Sequence, residues 1–208
     1  MTKRIVQLGV LLALGTLMAT VATASILVST QGVFSDPNQV FEQSFSYNPA
    51  TMGSILRIQT YGYGGSSNAP GGTNAAGTII LAGGFDPIVG LFAGSASGGG
   101  ARLGFNDDGT CGPGAGATDA GICFDSTLVF NSLAAGTYTV ALTVFPNFPP
   151  TTETGTYPGG PSTFGSRANR FAIDVVTSSA VPEPMSSLLL GTGLLGIGFF
   201  ARRRRSQQ

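Results

Sequence analysis

The chain of 208 residues contains no histidine, no tryptophan and few charged residues, which make up 10% of it. Without histidine, the chain cannot form a Ser-His catalytic triad or a His-ligated metal site, and it lacks the commonest general base. The usual aromatic platform for sugars, tryptophan, is missing as well. Hydrophobic residues make up 42%, so the low charge does not indicate a disordered chain. The composition predicts a folded domain whose chemistry depends on other side chains.

Residues 1–24 have the three parts of a secretory signal peptide. A basic n-region precedes an apolar run over residues 5–17, and Ala22 and Ala24 frame a small-x-small cleavage site. We therefore predict that the chain is exported and that it is cleaved after Ala24. A retained N-terminal anchor helix is the alternative.

Residues 181–208 have a different pattern. A Val-Pro-Glu-Pro tetrad contains Pro182, Glu183 and Pro184, and its two prolines keep it extended. An apolar segment over residues 186–201 follows; it is short for a membrane-spanning helix, but we predict that it forms one. Four arginines come after it: Arg202, Arg203, Arg204 and Arg205. Such arginines stay cytoplasmic, so the region before the segment would lie outside the membrane.

This tail resembles the PEP-CTERM sorting signal, which has the same three parts in the same order at the C-terminus. The resemblance implies that an exosortase, a membrane cysteine protease, acts at the Pro-Glu-Pro motif, which is then acted upon and catalyses nothing. It also implies a Gram-negative host that makes extracellular polysaccharide. The protein would be anchored in the inner membrane before processing and would then lie at the cell surface or in the biofilm matrix. A plain C-terminal anchor is the alternative.

Between its two ends the chain is acidic. Residues 25–181 contain four arginines and nine acidic residues, which leaves a formal charge of −5, although the whole chain is neutral. Nucleic acids and anionic lipids are therefore poor partners, whereas divalent cations are suitable ones.

Cys111 and Cys123 are the only cysteines in the sequence. An exported chain meets oxidising conditions, so we predict a disulfide between them. It would close a short loop and stabilise the fold by about 3 kcal/mol in the chain-entropy account. A reactive thiol is the alternative, but this region has no histidine or lysine to lower the pKa of a thiol.

Alternation of apolar and polar residues predicts strands within residues 25–180. The clearest run covers residues 137–145, in which every second residue is large and apolar. Further runs cover 41–47, 56–60, 78–81, 88–92, 103–105, 127–130 and 171–175. Glycine-rich segments over 62–77, 95–100 and 112–121, and a Thr/Pro/Gly-rich segment over 151–166, are predicted connections. We predict an all-β domain, an antiparallel β-sandwich of jelly-roll type.

Several short sequence motifs of the central region resemble those of a subgroup of PEP-CTERM proteins. They are Gly-Gly-Phe-Asp-Pro ending at Pro87, Asn-Asp-Asp-Gly ending at Gly109 and Leu-Ala-Ala-Gly-Thr-Tyr ending at Tyr138. The later half is also similar to the bacterial pre-peptidase C-terminal domain, a β-sandwich appended to exported enzymes. These resemblances imply that the domain has no catalytic activity, that it serves binding or export, and that calcium binding occurs in some members.

Acidic residues in predicted turns are candidate calcium ligands. The candidates are Asp86, Asn106, Asp107, Asp108, Asp119 and Asp125. Three of them fall in one turn, and the others would fold back onto the same end of the sandwich. Calcium takes six to eight oxygen ligands, and the spacing here is not that of an EF-hand. The alternative is an acidic hairpin turn that holds no ion.

Three functions are compatible with these features. The first, which we predict, is a non-enzymatic protein of the cell surface or extracellular matrix, associated with exopolysaccharide. The second is a carbohydrate-binding or adhesive module, in which Tyr61 and Tyr63 present both rings on one surface; two ordinary strand-end aromatics are the alternative. The third is an enzyme that uses an Asp/Glu pair, as glycoside hydrolases do. No Gly-x-Ser-x-Gly nucleophile motif lies between the two ends.

Overall fold

The structure, a computed structural model, describes residues 25–64, 70–108, 123–157 and 162–178. These residues form ten strands and one helical turn. The elements are β1 (Ser25–Val33), β2 (Phe41–Tyr47), α1 (Pro49–Met52), β3 (Ile55–Tyr61), β4 (Pro70–Thr73), β5 (Ile79–Leu81), β6 (Pro87–Ala93), β7 (Arg102–Asn106), β8 (Thr127–Phe130), β9 (Gly136–Val144) and β10 (Arg170–Ser178). The predictions for residues 1–24 and 181–208 lie outside the described residues.

Eight of these strands form two four-stranded antiparallel sheets. The strand order is β1-β10-β3-β8 in one sheet and β2-β9-β6-β7 in the other. Among the eight, β1 pairs with β10, β2 with β9, β3 with β8 and β6 with β7. The outermost strands in sequence thus pair with each other, and each inner pair is nested within the previous one. This nested pairing is the connectivity of a jelly roll. The described residues thus confirm an all-β, antiparallel fold.

The two sheets pack face to face through one hydrophobic core. Alternate residues of β9 point into it, and Tyr138, Val140 and Leu142 are at most 6% exposed. The residues between them are buried as well, because the chain that follows β9 crosses the outer face of the same sheet. This segment is held there by a hydrogen bond to β7, in which Arg102 N donates to the carbonyl of Thr151 at 2.8 Å. The alternation in the sequence predicted a half-buried strand, whereas both faces of β9 are covered.

Two strands differ from the sequence prediction. β1 was not predicted, because its mixture of serine, threonine, glutamine and glycine lacks a clear alternation. β4 lies in a glycine-rich segment that was predicted to be a connection, and it forms a hairpin with β5. A Cβ atom at Gly71 would lie 2.8 Å from Gly62 Cα, so glycine permits a backbone approach here that other residues would block.

In the described part of the chain, no helix has the length and hydrophobicity needed to cross a membrane.

The two ends of the sandwich carry different features. Ser25 at the start of β1 pairs with Thr177 near the end of β10, so the chain enters and leaves the domain at one end, here named the terminal end. At the opposite end, Ala168 N, just before β10, donates to the carbonyl of Gly83, just before β6, at 2.8 Å. The nine residues of β10 span roughly 26 Å between these ends. The opposite end, named the acidic end, carries the candidate metal ligands.

Candidate metal centre

Three aspartates meet at the acidic end. Asp86 directly precedes β6, while Asp107 and Asp108 directly follow β7. Because β6 and β7 are antiparallel neighbours, the start of one strand lies beside the end of the other. One carboxylate oxygen from each of the three residues lies within 4.8 Å of the other two. The pairing of these two strands, which are separated in sequence by a loop, therefore assembles the acidic cluster, defined as Asp86, Asp107 and Asp108.

Two polar side chains fix the backbone that carries the acidic cluster. Ser126 Oγ, in a fully buried residue, lies 2.6 Å from the carbonyl oxygen of Pro87 and also contacts the carbonyl oxygens of Asn106 and Asp107. Asn106 Oδ1 accepts from Thr127 N at 2.9 Å. These bonds tie the turn after β7 to the start of β8, so the aspartates sit on a braced backbone.

The structure corrects part of the predicted ligand set. Asn106 uses its side chain within the turn, because Nδ2 donates to the carbonyl of Asp108 at 3.0 Å while Oδ1 accepts from the backbone of β8. Asp125 is 2% exposed, and its Oδ1 accepts from Thr60 Oγ1 at 3.2 Å and from Tyr63 N at 3.3 Å. Both residues support the acidic end and are not in the acidic cluster. Asp119 lies outside the described residues.

The carboxylates of the acidic cluster are incompletely satisfied by hydrogen bonds. Asp86 Oδ1 and Asp107 Oδ1 are inaccessible to solvent, and neither has a hydrogen-bond partner among the residues that the structure describes. A buried carboxylate oxygen without a partner is costly, and such groups are generally neutralised, paired or bound to a cation. Carboxylate oxygens are the ligands that calcium prefers, so the donor set fits a calcium ion.

Burial and mutual repulsion raise the pKa values in the acidic cluster. The pKa of Asp86 rises to about 7, chiefly through burial and then through repulsion by Asp108 and Asp107. Burial followed by repulsion from Asp108 raises the pKa of Asp107 to about 6. Burial also raises the pKa of Asp108. A cation among these groups would favour their charged forms and reverse this trend.

These pKa values predict how stability depends on pH in the absence of divalent cations. The unfolded chain has aspartate pKa values near 3.9, so between about pH 4 and 7 the folded state binds more protons through Asp86, Asp107 and Asp125, the last of which burial raises to a pKa of about 6. The contribution of these groups to stability is therefore fully present below about pH 4 and is lost as the pH rises through 7. We expect the melting temperature in EDTA to fall by a few degrees over this window, as measured by circular dichroism.

Asp86→Asn should reduce that pH dependence by a little under half, because an amide does not titrate while Asp107 and Asp125 still do. Asp36→Asn is the matched control: Asp36 is exposed, and its Oδ1 accepts from Asn38 N at 2.7 Å, a contact that asparagine can preserve. A melting temperature that rises steadily from pH 4 to 8 in EDTA would contradict the assignment.

An open cleft adjoins the acidic cluster. Its volume is about 400 Å³, and Asp86 belongs to its wall. The remaining walls come from the Tyr63 loop, the end of β9 and the segment before β10. They consist of Tyr63, Phe145, Pro146, Thr163, Phe164, Gly165, Ser166 and Arg167. The cleft therefore combines a carboxylate, an arginine, hydroxyls and aromatic rings at the acidic end.

Arg167 organises one wall of the cleft. Its Nη2 donates to the carbonyls of Tyr63 and Gly64, and its Nε donates to the carbonyl of Gly84. The guanidinium carbon also lies 3.4 Å from the centroid of the Tyr63 ring. Phe124 packs on the same ring, with centroids 4.5 Å apart. No sequence motif marked Arg167, because its partners are carbonyls of glycine-rich loops that are distant in sequence.

The predicted sugar-stacking pair is wrong. Tyr61 is 5% exposed, and it packs with Ile80 and Ala172 against the β4–β5 hairpin. Gly62, with a φ of 124°, ends the extended backbone between the two tyrosines, so the two-residue period of a strand does not continue to Tyr63. Tyr63 lies in the cleft wall and Tyr61 in the interior, and the two rings do not share a surface.

The predicted disulfide involves a residue outside the described part of the chain, Cys111. Its partner Cys123 is 3% exposed and lies just before β8. The Cys111–Cys123 pairing stays a prediction.

Comparison with known protein families matches the C-terminal tail. Residues 180–205 match the model of the PEP-CTERM protein-sorting motif. No curated protein matches the chain. The resemblances of the central motifs to a PEP-CTERM subgroup and to the pre-peptidase C-terminal domain stay predictions. The tail thus carries a PEP-CTERM sorting motif, which marks an exported protein that is anchored in the membrane until an exosortase processes it.

Proposed function

We propose that this protein is a non-enzymatic component of the cell surface or extracellular matrix of a Gram-negative bacterium, associated with exopolysaccharide in a biofilm. The sorting motif is the observation that carries the proposal. The motif starts at residue 180, and β10 ends at Ser178, so the motif follows the folded domain almost directly. The sandwich is therefore the domain that the sorting motif directs to its final location.

The geometry of the sandwich supports an orientation for this domain. Ser178 is the last residue of β10, and an extended chain covers at most about 3.5 Å per residue, so the chain from Ser178 to Pro182 can span no more than roughly 14 Å. While the tail holds the chain in the membrane, the terminal end faces the bilayer. The acidic end, roughly 26 Å away along β10, then faces outward.

Structural roles of buried acids support a non-enzymatic protein. Glu153 is 4% exposed, and its carboxylate accepts from Ser97 N at 2.5 Å and from Gly99 N at 3.0 Å. Asp125 similarly holds the loop that contains Tyr63. These carboxylates serve as acceptors for backbone amides, which is a structural use of an acid. An Asp/Glu catalytic pair, the one enzymatic alternative, would have to use other carboxylates, such as those of the acidic cluster.

The intact mass of the protein recovered from cells tests the sorting part of the proposal. We expect a mass that lacks residues 1–24 and the segment beyond the Pro-Glu-Pro motif, and added hexose masses would support association with the matrix. Replacing Pro182, Glu183 and Pro184 with alanine should leave the tail in place, because the exosortase site is lost.

The matched control replaces Ser186 and Ser187 with alanine, which changes the same tail outside the motif. This control should be processed normally. If the wild-type protein keeps residues 188–208, the protein is a single-pass membrane protein and the sorting proposal is wrong.

A second candidate function is a calcium-stabilised carbohydrate-binding or adhesive module. The observation that favours it is the pair of buried, unpartnered oxygens in the acidic cluster, Asp86 Oδ1 and Asp107 Oδ1. Asp86, Asp107 and Asp108 would hold the ion, and a calcium ion there would link the starts and ends of neighbouring strands. Such a site suits a protein that works outside the cell, where calcium is at millimolar concentration and modules bind it weakly.

A further inference from the structure

The cleft and the acidic cluster share one residue, Asp86. Its carboxylate contributes to the close triad with Asp107 and Asp108 and also belongs to the cleft wall. Three carboxylates that each supply one oxygen leave about half of the six to eight positions of calcium to other ligands. An ion held by the acidic cluster would therefore sit at the margin of the cleft and offer coordination positions to a bound molecule.

Beside Asp86 the wall of the cleft is apolar and exposed. Phe145 lies there because its backbone N donates to the carbonyl of Asp86 at 2.9 Å. Phe145 is 43% exposed, and Phe148 packs edge-on against it with centroids 5.8 Å apart. Phe164, also in the wall, packs at 5.7 Å on the fully buried Phe85. The buried Phe85 fixes the ring of Phe164, and the partly buried Phe148 packs on Phe145, so an apolar surface is already in place. A ligand that fits must have an apolar face as well as oxygen donors.

The other polar groups of the cleft are hydroxyls and one fixed guanidinium. Thr163 and Ser166 are exposed residues of the wall, and their hydroxyls can donate and accept hydrogen bonds. Arg167 is held in place by three backbone carbonyls. Such a mixture suits a ligand that carries several hydroxyl groups on a compact ring.

Charge selects between acidic and neutral ligands. With the three aspartates of the acidic cluster, Asp125, one divalent cation and Arg167, the formal charge around the cleft is −1. An anionic ligand would gain little from such surroundings, whereas a neutral ligand loses nothing. The described region as a whole is acidic, which also disfavours polyanions.

We propose that this cleft binds a neutral saccharide, two vicinal hydroxyls of which coordinate a calcium ion on the acidic cluster while the face of the sugar ring packs on Phe145. The inference rests on the second candidate function, because it requires the calcium site. It adds the ligand class, the binding wall and the reason why binding requires the ion. Because this end faces away from the membrane, the cleft would be accessible to neutral polysaccharide around the cell.

Retention of the full-length chain, in mild detergent, on agarose carrying D-mannose, D-galactose or D-glucose tests the proposal. We expect retention on at least one of these columns in millimolar calcium and elution by EDTA. Phe145→Ala should weaken retention by roughly tenfold, since it removes the stacking surface. Phe105→Ala is the matched control, because Phe105 is also 43% exposed and also packs edge-on against Phe148, at 6.1 Å, but lies outside the cleft.

Calorimetric titration with calcium alone separates this proposal from the one on which it rests. If calcium binds but no column retains the protein, the saccharide site is wrong and the metal centre stands. If calcium does not bind, both are wrong. If retention persists in EDTA, or if Phe105→Ala weakens it as much as Phe145→Ala, the geometry proposed for the cleft is wrong.

Discussion

Calcium is expected to raise the melting temperature of the metal-free chain by roughly 8 °C. At a free concentration about 100-fold above the dissociation constant, an ion that binds only the folded state stabilises it by about 2.7 kcal/mol. For a chain of this size each kcal/mol corresponds to roughly 2–4 °C. The ion would relieve repulsion among Asp86, Asp107 and Asp108 and would satisfy the two buried oxygens. Differential scanning calorimetry with and without EDTA measures the shift.

The variant Asp107→Asn with Asp108→Asn should show almost no calcium-dependent shift, because two of three charged ligands are removed. Asp36→Asn, an exposed aspartate outside the acidic cluster, should keep the full shift. Magnesium should stabilise less than calcium, since it demands near-ideal octahedral geometry and gives up its water reluctantly. An equal shift in the double variant and in the wild type would place the calcium site elsewhere.

The loss of Arg167 is expected to destabilise the fold by about 3 kcal/mol. Arg167→Met keeps an extended apolar stem but removes the donors to the carbonyls of Tyr63, Gly64 and Gly84. The carbonyls of Gly64 and Gly84 then lose their donor, which costs about 1 kcal/mol or more for each, whereas the carbonyl of Tyr63 still accepts from Gly83 N at 2.8 Å. The lost contact with the Tyr63 ring adds to this. Chemical denaturation monitored by tyrosine fluorescence measures the change.

Arg170→Met is the matched control for that prediction. Arg170 also donates to loop carbonyls, those of Leu81 and Ala82, but its bond to Leu81 is exposed and water can replace it. We therefore expect less than half of the Arg167→Met effect. Equal effects of the two variants would mean that Arg167 is an ordinary surface contact and does not organise the cleft wall.

Local pattern was sufficient for the fold class because strands are encoded by alternation. The run that became β9 alternates clearly, and the run that became β10 places Phe171, Ile173 and Val175 on one face. β1 lacks that signal, and it is in place because β10 pairs with it along its length. The pairing of the first strand with the last is a long-range property, which no window of the sequence contains.

The candidate site was also predictable only as far as local sequence pattern encodes it. The Asn-Asp-Asp-Gly motif indicated an acidic turn, and two of its aspartates do lie in the acidic cluster. Asp86 joins the acidic cluster because β6 pairs with β7. Asn106 and Asp125 are not part of it, because their side chains bind backbone groups. Composition alone cannot distinguish an aspartate that binds a backbone amide from one that is left without a partner.

Export and sorting are encoded in the linear sequence, because the sorting motif is recognised as a continuous segment and needs no folded partner. The all-β domain and the absence of histidine chemistry are also evident from the sequence. The meeting of the three acids, the burial of Tyr61 and the cleft that Phe145 and Arg167 form beside Asp86 are visible in the folded structure alone. These features depend on contacts between residues that are far apart in the chain, and nested strand pairing brings such residues together at the acidic end.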